Sequence, residues 1–252
     1  MGFAFGAHGI GITVNGRDAL LGNVRAALAA GRGFAIATLN LDHLVKMQRS
    51  TEFADAYARH GFVVADGRPV VWLSKLSGHP VELAAGSDLV LPLARMSAEL
   101  NVRVALVGST NEVLDAAGQR LCSIAPGLDV GPRISPSRNF DPCGVEARNI
   151  LADLAASGAG LCFLALGAPK QEQFAALGRE LAPSVGFVSI GAGLDFIAGH
   201  QKRAPGWIRI LALEWLWRAA GSPARMLPRY GRCFAILPGL TMLALRSRLR
   251  GG

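Results

Sequence analysis

Residues 102–124 read VRVALVGSTNEVLDAAGQRLCSI. The first seven are mostly apolar and end on glycine, as in a strand buried on both faces. Residues 111–124 then read as a helix. The same alternation recurs along the chain. FAIATLN (34–40), FVVA (62–65), LCFLALG (161–167) and VGFVSIG (185–191) are further short apolar runs, each bounded by Gly, Asn or Asp. SDLVLPLARMSAEL (87–100), with Ser87 as N-cap, and GVEARNILADLAAS (144–157) read as helices between them. Strand–helix alternation predicts an α/β fold, a Rossmann-like parallel sheet with helices on both faces. In such sheets ligands bind beyond the carboxyl ends of the strands. GPRISPSRNFDPCG (131–144) is expected to be the one long irregular loop.

Composition narrows the class. The chain has 252 residues, 51% of them hydrophobic, which suffices for a sizeable core and argues against disorder. Cys122, Cys143, Cys162 and Cys233 lack C-x-x-C spacing, so neither a disulfide framework nor a zinc site is expected. The opening MGFAFGAHGIGITVNG has no basic start before a long apolar stretch, so no secretory leader is expected. Its sixth residue is not Ser or Thr, which removes the myristoylation pattern.

Charge is unevenly placed. Residues 200–252 hold ten of the 26 Lys and Arg but a single acid, Glu214, while residues 1–199 are close to neutral. A basic segment that is also rich in Trp, Leu and Ile suits an anionic membrane better than a nucleic acid. Its uncharged run, Cys233–Leu245, is 13 residues long and contains Pro238, short of the roughly 20 needed to span a bilayer. An interfacial helical segment is therefore expected, the alternative being a helix packed on the core. This divides the chain into a Rossmann-like catalytic domain (1–199) and a C-terminal basic, amphipathic, membrane-associating helical appendage (200–252). The latter is expected to break at Gly221-Ser222-Pro223.

Five polar loops fall at predicted strand ends: Thr38-Leu39-Asn40, Asp66-Gly67, Gly108-Ser109-Thr110, GAPKQE (167–172) and GAGLDF (191–196). Asn40 and Ser109 also suit helix caps, and Asp66 reads equally as a turn residue or a base. Pro169 fits a first helical position and Glu172 the positive end of the helix dipole. Lys170 and Gln171 place a cation and an amide at a helix start, a natural anion site. VGST at Val107–Thr110 is a second, and two along one edge suit a diphosphate-bearing ligand. There is no G-x-x-x-x-G-K-[ST], no D-x-D pair and no G-x-S-x-G. GIGITVNG (9–16) is too loose for a dinucleotide fingerprint. The five histidines lie far apart, mostly beside polar loop positions, without ligand spacing. No metal and no cofactor are expected.

Taken together and in order, TLNLDHLVK, ADGRPVVW, AGSDLV, ALVGST, LGAPKQE, IGAGLDFIAGHQKRAPGW and EWLWRAAGSPARMLPRY resemble the WecG/TagA/CpsF glycosyltransferases (glycosyltransferase family 26), over roughly residues 10–232. The resemblance implies inverting transfer of a sugar from a UDP-sugar to a polyprenyl-diphosphate-linked saccharide at the inner membrane face, for cell-surface polysaccharides. It implies Asp66 as the base, with Thr38 and Asn40 beside it. Gly108, Ser109, Lys170, Gln171, Glu172, Asp195, Arg203, Arg218, Arg225 and Arg229 become the substrate-binding candidates. Leu83 stands where many members carry Arg, a departure that bears on specificity. The donor sugar is left among N-acetylmannosamine, its uronic acid and glucose.

Two other classes fit less of the chain. A non-catalytic nucleotide-sugar-binding protein at the membrane surface would bind UDP without turnover. A nucleic-acid protein would use the basic segment, show a steep salt dependence and leave the strand-end cluster unexplained. A nucleic-acid partner is therefore not expected, and a homo-oligomer is left open.

Overall fold

The computed structural model of the chain describes residues 2–5, 8–201, 204–205, 208, 214–221 and 223–250, without the side chains of 2–5, 8, 218, 220, 225 and 250. A small antiparallel hairpin, β1 (Gly2–Phe5) and β2 (His8–Gly11), forms its own sheet. The main sheet is built from β3 (Ala35–Leu39), β4 (Phe62–Ala65), β5 (Val104–Gly108), β6 (Val130–Ile134), β7 (Leu161–Ala165) and β8 (Gly186–Ser189). Its order is β4-β3-β8-β7-β5-β6 and every pairing is parallel. The connecting helices are α1 (Arg17–Ala29), α2 (Leu41–Met47), α3 (Thr51–Ala58), α4 (Arg68–Leu76), α5 (Gly86–Glu99), α6 (Asn111–Ile124), α7 (Val145–Ala156), α8 (Lys170–Leu181) and α9 (Gly193–Ala198).

Period-two alternation sends neighbouring strand residues to opposite faces. Ile36, Leu106, Phe163 and Val188 join the core under α1, α5 and α6. Ala105, Val107, Cys162, Leu164 and Phe187 join the core under α7 and α8. Both faces are covered, which is why these strands read as unbroken apolar runs.

The sheet ends on two edge strands. At β4, Thr13 donates its backbone N–H to the Val63 carbonyl at 2.9 Å, and its hydroxyl accepts the Val63 N–H at 2.8 Å. Ala84 donates to the Ala65 carbonyl at 2.8 Å. At the other edge, β6 occupies part of the stretch expected to be an irregular loop. Half-exposed and containing Pro132, it lacks the apolar run by which the buried strands were read. Its register slips by one residue between Val104 and Leu106, a bulge.

Two other expectations shift. α5 starts at Gly86 on Ala85, so Ser87 lies inside the helix and makes no cap. Residues 9–11 of the glycine-rich start belong to an antiparallel hairpin and not to a βα turn.

The C-terminal part forms α10 (Glu214–Gly221) and α11 (Pro223–Arg250); Ser222 of the expected break lies outside the described residues. The 28 residues of α11 give a length of about 42 Å. No helix among the described residues is long and apolar enough to cross a membrane. Cys233, Leu240 and Ala244 are buried in one cluster with Leu41, Leu44 and Val45 of α2 and Leu73 of α4. Leu227, Phe234, Met242, Leu245 and Leu249 are exposed. At about 100° per residue they fall on a second stripe, turned from the buried one. Trp215 of α10 makes edge contacts with Tyr230 and Phe234 of α11.

Candidate functional site

The chain leaves β3 outward to β4 at one side of the sheet and leaves β5 outward to β6 at the other. β8 and β7 lie between, so the strand ends from β4 to β5 span a topological switch point, where such sheets place their ligand crevice. Along this edge the order is Asp66 after β4, Thr38 and Asn40 at β3, Gly191 to Asp195 after β8, Lys170 to Glu172 after β7, and Gly108 with Ser109 after β5. The parallel sheet thus brings together residues scattered from 38 to 195.

Asp66 extends the ladder past β4, its N–H bonding the Leu39 carbonyl at 2.8 Å. Gly67, at φ 93°, then turns the chain into α4, a conformation L side chains resist. The Asp-Gly pair is therefore a turn that also presents a half-buried carboxylate at this edge. Thr38 is buried beside it on β3. Asn40 caps α2, accepting the His43 N–H at 3.1 Å. Gly86 makes this packing feasible. A β-carbon there would stand 3.0 Å from the Ser189 carbonyl and 3.3 Å from the Thr38 hydroxyl. Leu83 bridges Ala65, the neighbour of Asp66, and is 40% exposed.

Lys170 opens α8 and is half-buried. Pro169 stands one residue earlier than expected, as N-cap. Gln171 and Glu172 are fully enclosed. Gln171 accepts the Gly191 N–H at 3.2 Å and donates to Glu172 at 2.8 Å. Burial pushes the Glu172 carboxyl up to about 7, and its second oxygen has no hydrogen-bond partner. The Tyr57 phenol is pushed well up, first by burial and then by the charges of Glu172 and Asp66. Ser109 adopts φ 60°, uncommon for a non-glycine residue, and leaves the capping of α6 to Thr110. Its hydroxyl lies 3.4 Å from Asp195 Oδ1.

Two histidines read as loop neighbours are core residues. His43 Nδ1 is 3.3 Å from the Tyr57 hydroxyl, and burial holds its ring down to about 3. His60, bonded to the Ala56 carbonyl, is held down to about 4 by burial. Among the described residues no three His, Cys, Asp or Glu side chains gather as metal ligands.

Of the arginine candidates, Arg203 and the side chains of Arg218 and Arg225 lie outside the described residues. Arg229 Nε stands 3.0 Å from Asp42 Oδ1, and Asp42 Oδ2 is 2.8 Å from Lys46 Nζ. Lys46 also donates to the Ala168 carbonyl at 2.8 Å. Neither Asp42 nor Lys46 was expected at the site. Their signal was the i,i+4 acid–base spacing within TLNLDHLVK.

Comparison with known proteins identifies the chain as a glycosyltransferase. The profile described as "Glycosyl transferase WecG/TagA/CpsF family" matches residues 7–252, and the chain belongs to that family. Two similar proteins are both named N-acetylglucosaminyldiphosphoundecaprenol N-acetyl-beta-D-mannosaminyltransferase. The one from Bacillus spizizenii W23 is 29% identical over 199 residues, 79% of this chain and 75% of its own. The one from Bacillus subtilis 168 is 27% identical over 195 residues, 77% and 73% of the two chains.

Proposed function

We propose that the chain transfers N-acetylmannosamine, with inversion and without a metal ion, from a UDP-sugar to a polyprenyl-diphosphate-linked saccharide. Support comes from the convergence of Asp66, Thr38 and Asn40 with the α8 and α6 helix starts on one sheet edge. The relatives' names point to the sugar and to an N-acetylglucosaminyl diphospholipid acceptor.

In this reading Asp66 takes the proton from the acceptor hydroxyl as its oxygen attacks the anomeric carbon. The bond from that carbon to the UDP oxygen breaks on the opposite face, and UDP leaves with the bonding pair. No covalent intermediate forms, so one carboxylate is enough. Lys170 and the α8 and α6 helix starts stabilise the diphosphate. Thr38 and Asn40 position the sugar. Arg218, Arg225 and Arg229 face the acceptor's diphosphate, to which each guanidinium offers paired donors. Residues 200–252 hold the protein peripherally on the cytoplasmic face of the plasma membrane, each base near the anionic surface contributing roughly 1 kcal/mol.

The test is UDP release across a panel of UDP-sugars with a polyprenyl-diphosphate N-acetylglucosamine acceptor. Release is expected with UDP-N-acetylmannosamine, only with acceptor, and in EDTA. UDP binding without acceptor-dependent release refutes the reading, and loss in EDTA restored by Mg²⁺ refutes its metal-free part.

A further inference from the structure

We infer that Asp42 is a positioning residue whose carboxylate holds Arg229 of α11 and Lys46 of α2 together, latching the C-terminal helix to the turn before α8. The inference rests on the acceptor reading above and adds a residue to it. Asp42 sits in the first turn of α2, two residues beyond the Asn40 cap, with its side chain only 11% exposed. Each oxygen faces a different cation, Oδ1 facing Arg229 and Oδ2 facing Lys46. Burial alone would raise its pKa, but Lys46 and Arg229 outweigh burial and hold it below the usual carboxylate range.

Two consequences follow from this arrangement. Arg229 meets Asp42 through Nε as an ion pair at 3.0 Å, without a hydrogen bond at that nitrogen, and its two terminal nitrogens are the donors a diphosphate would take. Lys46 reaches onward to the Ala168 carbonyl, one residue before Pro169 and two before Lys170. The chain Arg229–Asp42–Lys46–Ala168 therefore joins the helix meant for the lipid to the turn meant for the donor diphosphate. A surface ion pair between long side chains would fix little. Here the shared carboxylate is nearly enclosed, beside the packed Cys233 and Leu41. Removing one partner leaves the others mismatched.

The native cysteines supply a readout that needs no activity. Cys233 is buried on the inner face of α11, Cys162 lies inside the sheet, and Cys122 and Cys143 are exposed. In the full chain, Asp42→Asn and Arg229→Gln should each speed labelling of Cys233 about tenfold, a typical coupling between sites, with Cys162 unchanged. With UDP-N-acetylmannosamine and the lipid acceptor, acceptor KM should rise about tenfold while donor KM stays within about twofold. The double variant should be no worse than the worse single one, and Asp42→Glu should recover most of the loss. If Asp42→Asn fails to fold, Arg229→Gln, altered at a partly exposed side chain, carries the test. Unchanged Cys233 labelling, equal rises in both KM values, or multiplying losses in the double variant would overturn the latch. Should the wild type transfer no sugar at all, the functional reading fails while the labelling still decides the latch.

Discussion

Gln171 accepts the backbone N–H of Gly191 at 3.2 Å, tying the turn after β7 to the turn after β8. Its amide nitrogen is committed to Glu172 at 2.8 Å. Gln171 thus acts as a strut between the two turns. Gln171→Leu would leave the Gly191 N–H and the Glu172 carboxylate without this partner. We expect a loss of about 2 kcal/mol, seen as a lower urea midpoint at unchanged slope.

Glu172 predicts a pH dependence of stability. Its carboxyl titrates at about 7 in the fold against 4.5 as the ordinary value, so folding favours the protonated form. That contribution is fully present below pH 4.5 and is lost as pH rises through about 7. The difference corresponds to at most about 3 kcal/mol. Glu172→Gln should therefore match the wild type near pH 4.5 and melt at higher temperature than it above pH 7.5. Thermal melts across that range check this, and identical curves at both ends would refute it.

Asp66→Asn retains size and most hydrogen bonding but cannot accept the acceptor's proton. Turnover should fall by about 10² or more, the usual worth of a general base, with UDP affinity nearly unchanged. Single-turnover transfer and calorimetric UDP titration together measure it. Transfer near the wild-type rate would remove Asp66 from the role of base.

The second apolar stripe of α11 should govern binding to anionic vesicles. Phe234→Ser with Met242→Ser leaves the buried Cys233, Leu240 and Ala244 face untouched. Partition into phosphatidylglycerol vesicles should drop by about tenfold or more, given the transfer energy of two exposed apolar side chains. Sedimentation assays report it. Binding equal to wild type would assign the stripe elsewhere.

The buried strands were readable because double coverage makes them unbroken apolar runs; Phe62–Ala65 and Asn111–Ile124 lie where they were expected. β6 was missed for the complementary reason: half-exposed and carrying Gly131, Pro132 and Arg133, it is held by β5 more than by its own propensity. At the site, residue types at strand ends could be read, since a parallel sheet gathers those ends whatever their separation in the chain. Which side chains pair could not. Gln171 and Glu172 are substrate-binding candidates by residue type, but their enclosure by packing is not written in the sequence, and Asp42 becomes visible only with α11 lying across α2.

Thr13 fills the hydrogen-bonding positions of Val63 along β4, and residue 84 takes the Ala65 carbonyl. At the other border, β6 offers a bulge and a proline that has no N–H to give. Both margins of the sheet are thereby closed to a further strand. The main sheet is thus guarded against the edge-to-edge stacking that turns such sheets into aggregates. Contacts made over this sheet would fall on the helices that cover its two faces, where side chains rather than backbone set the specificity.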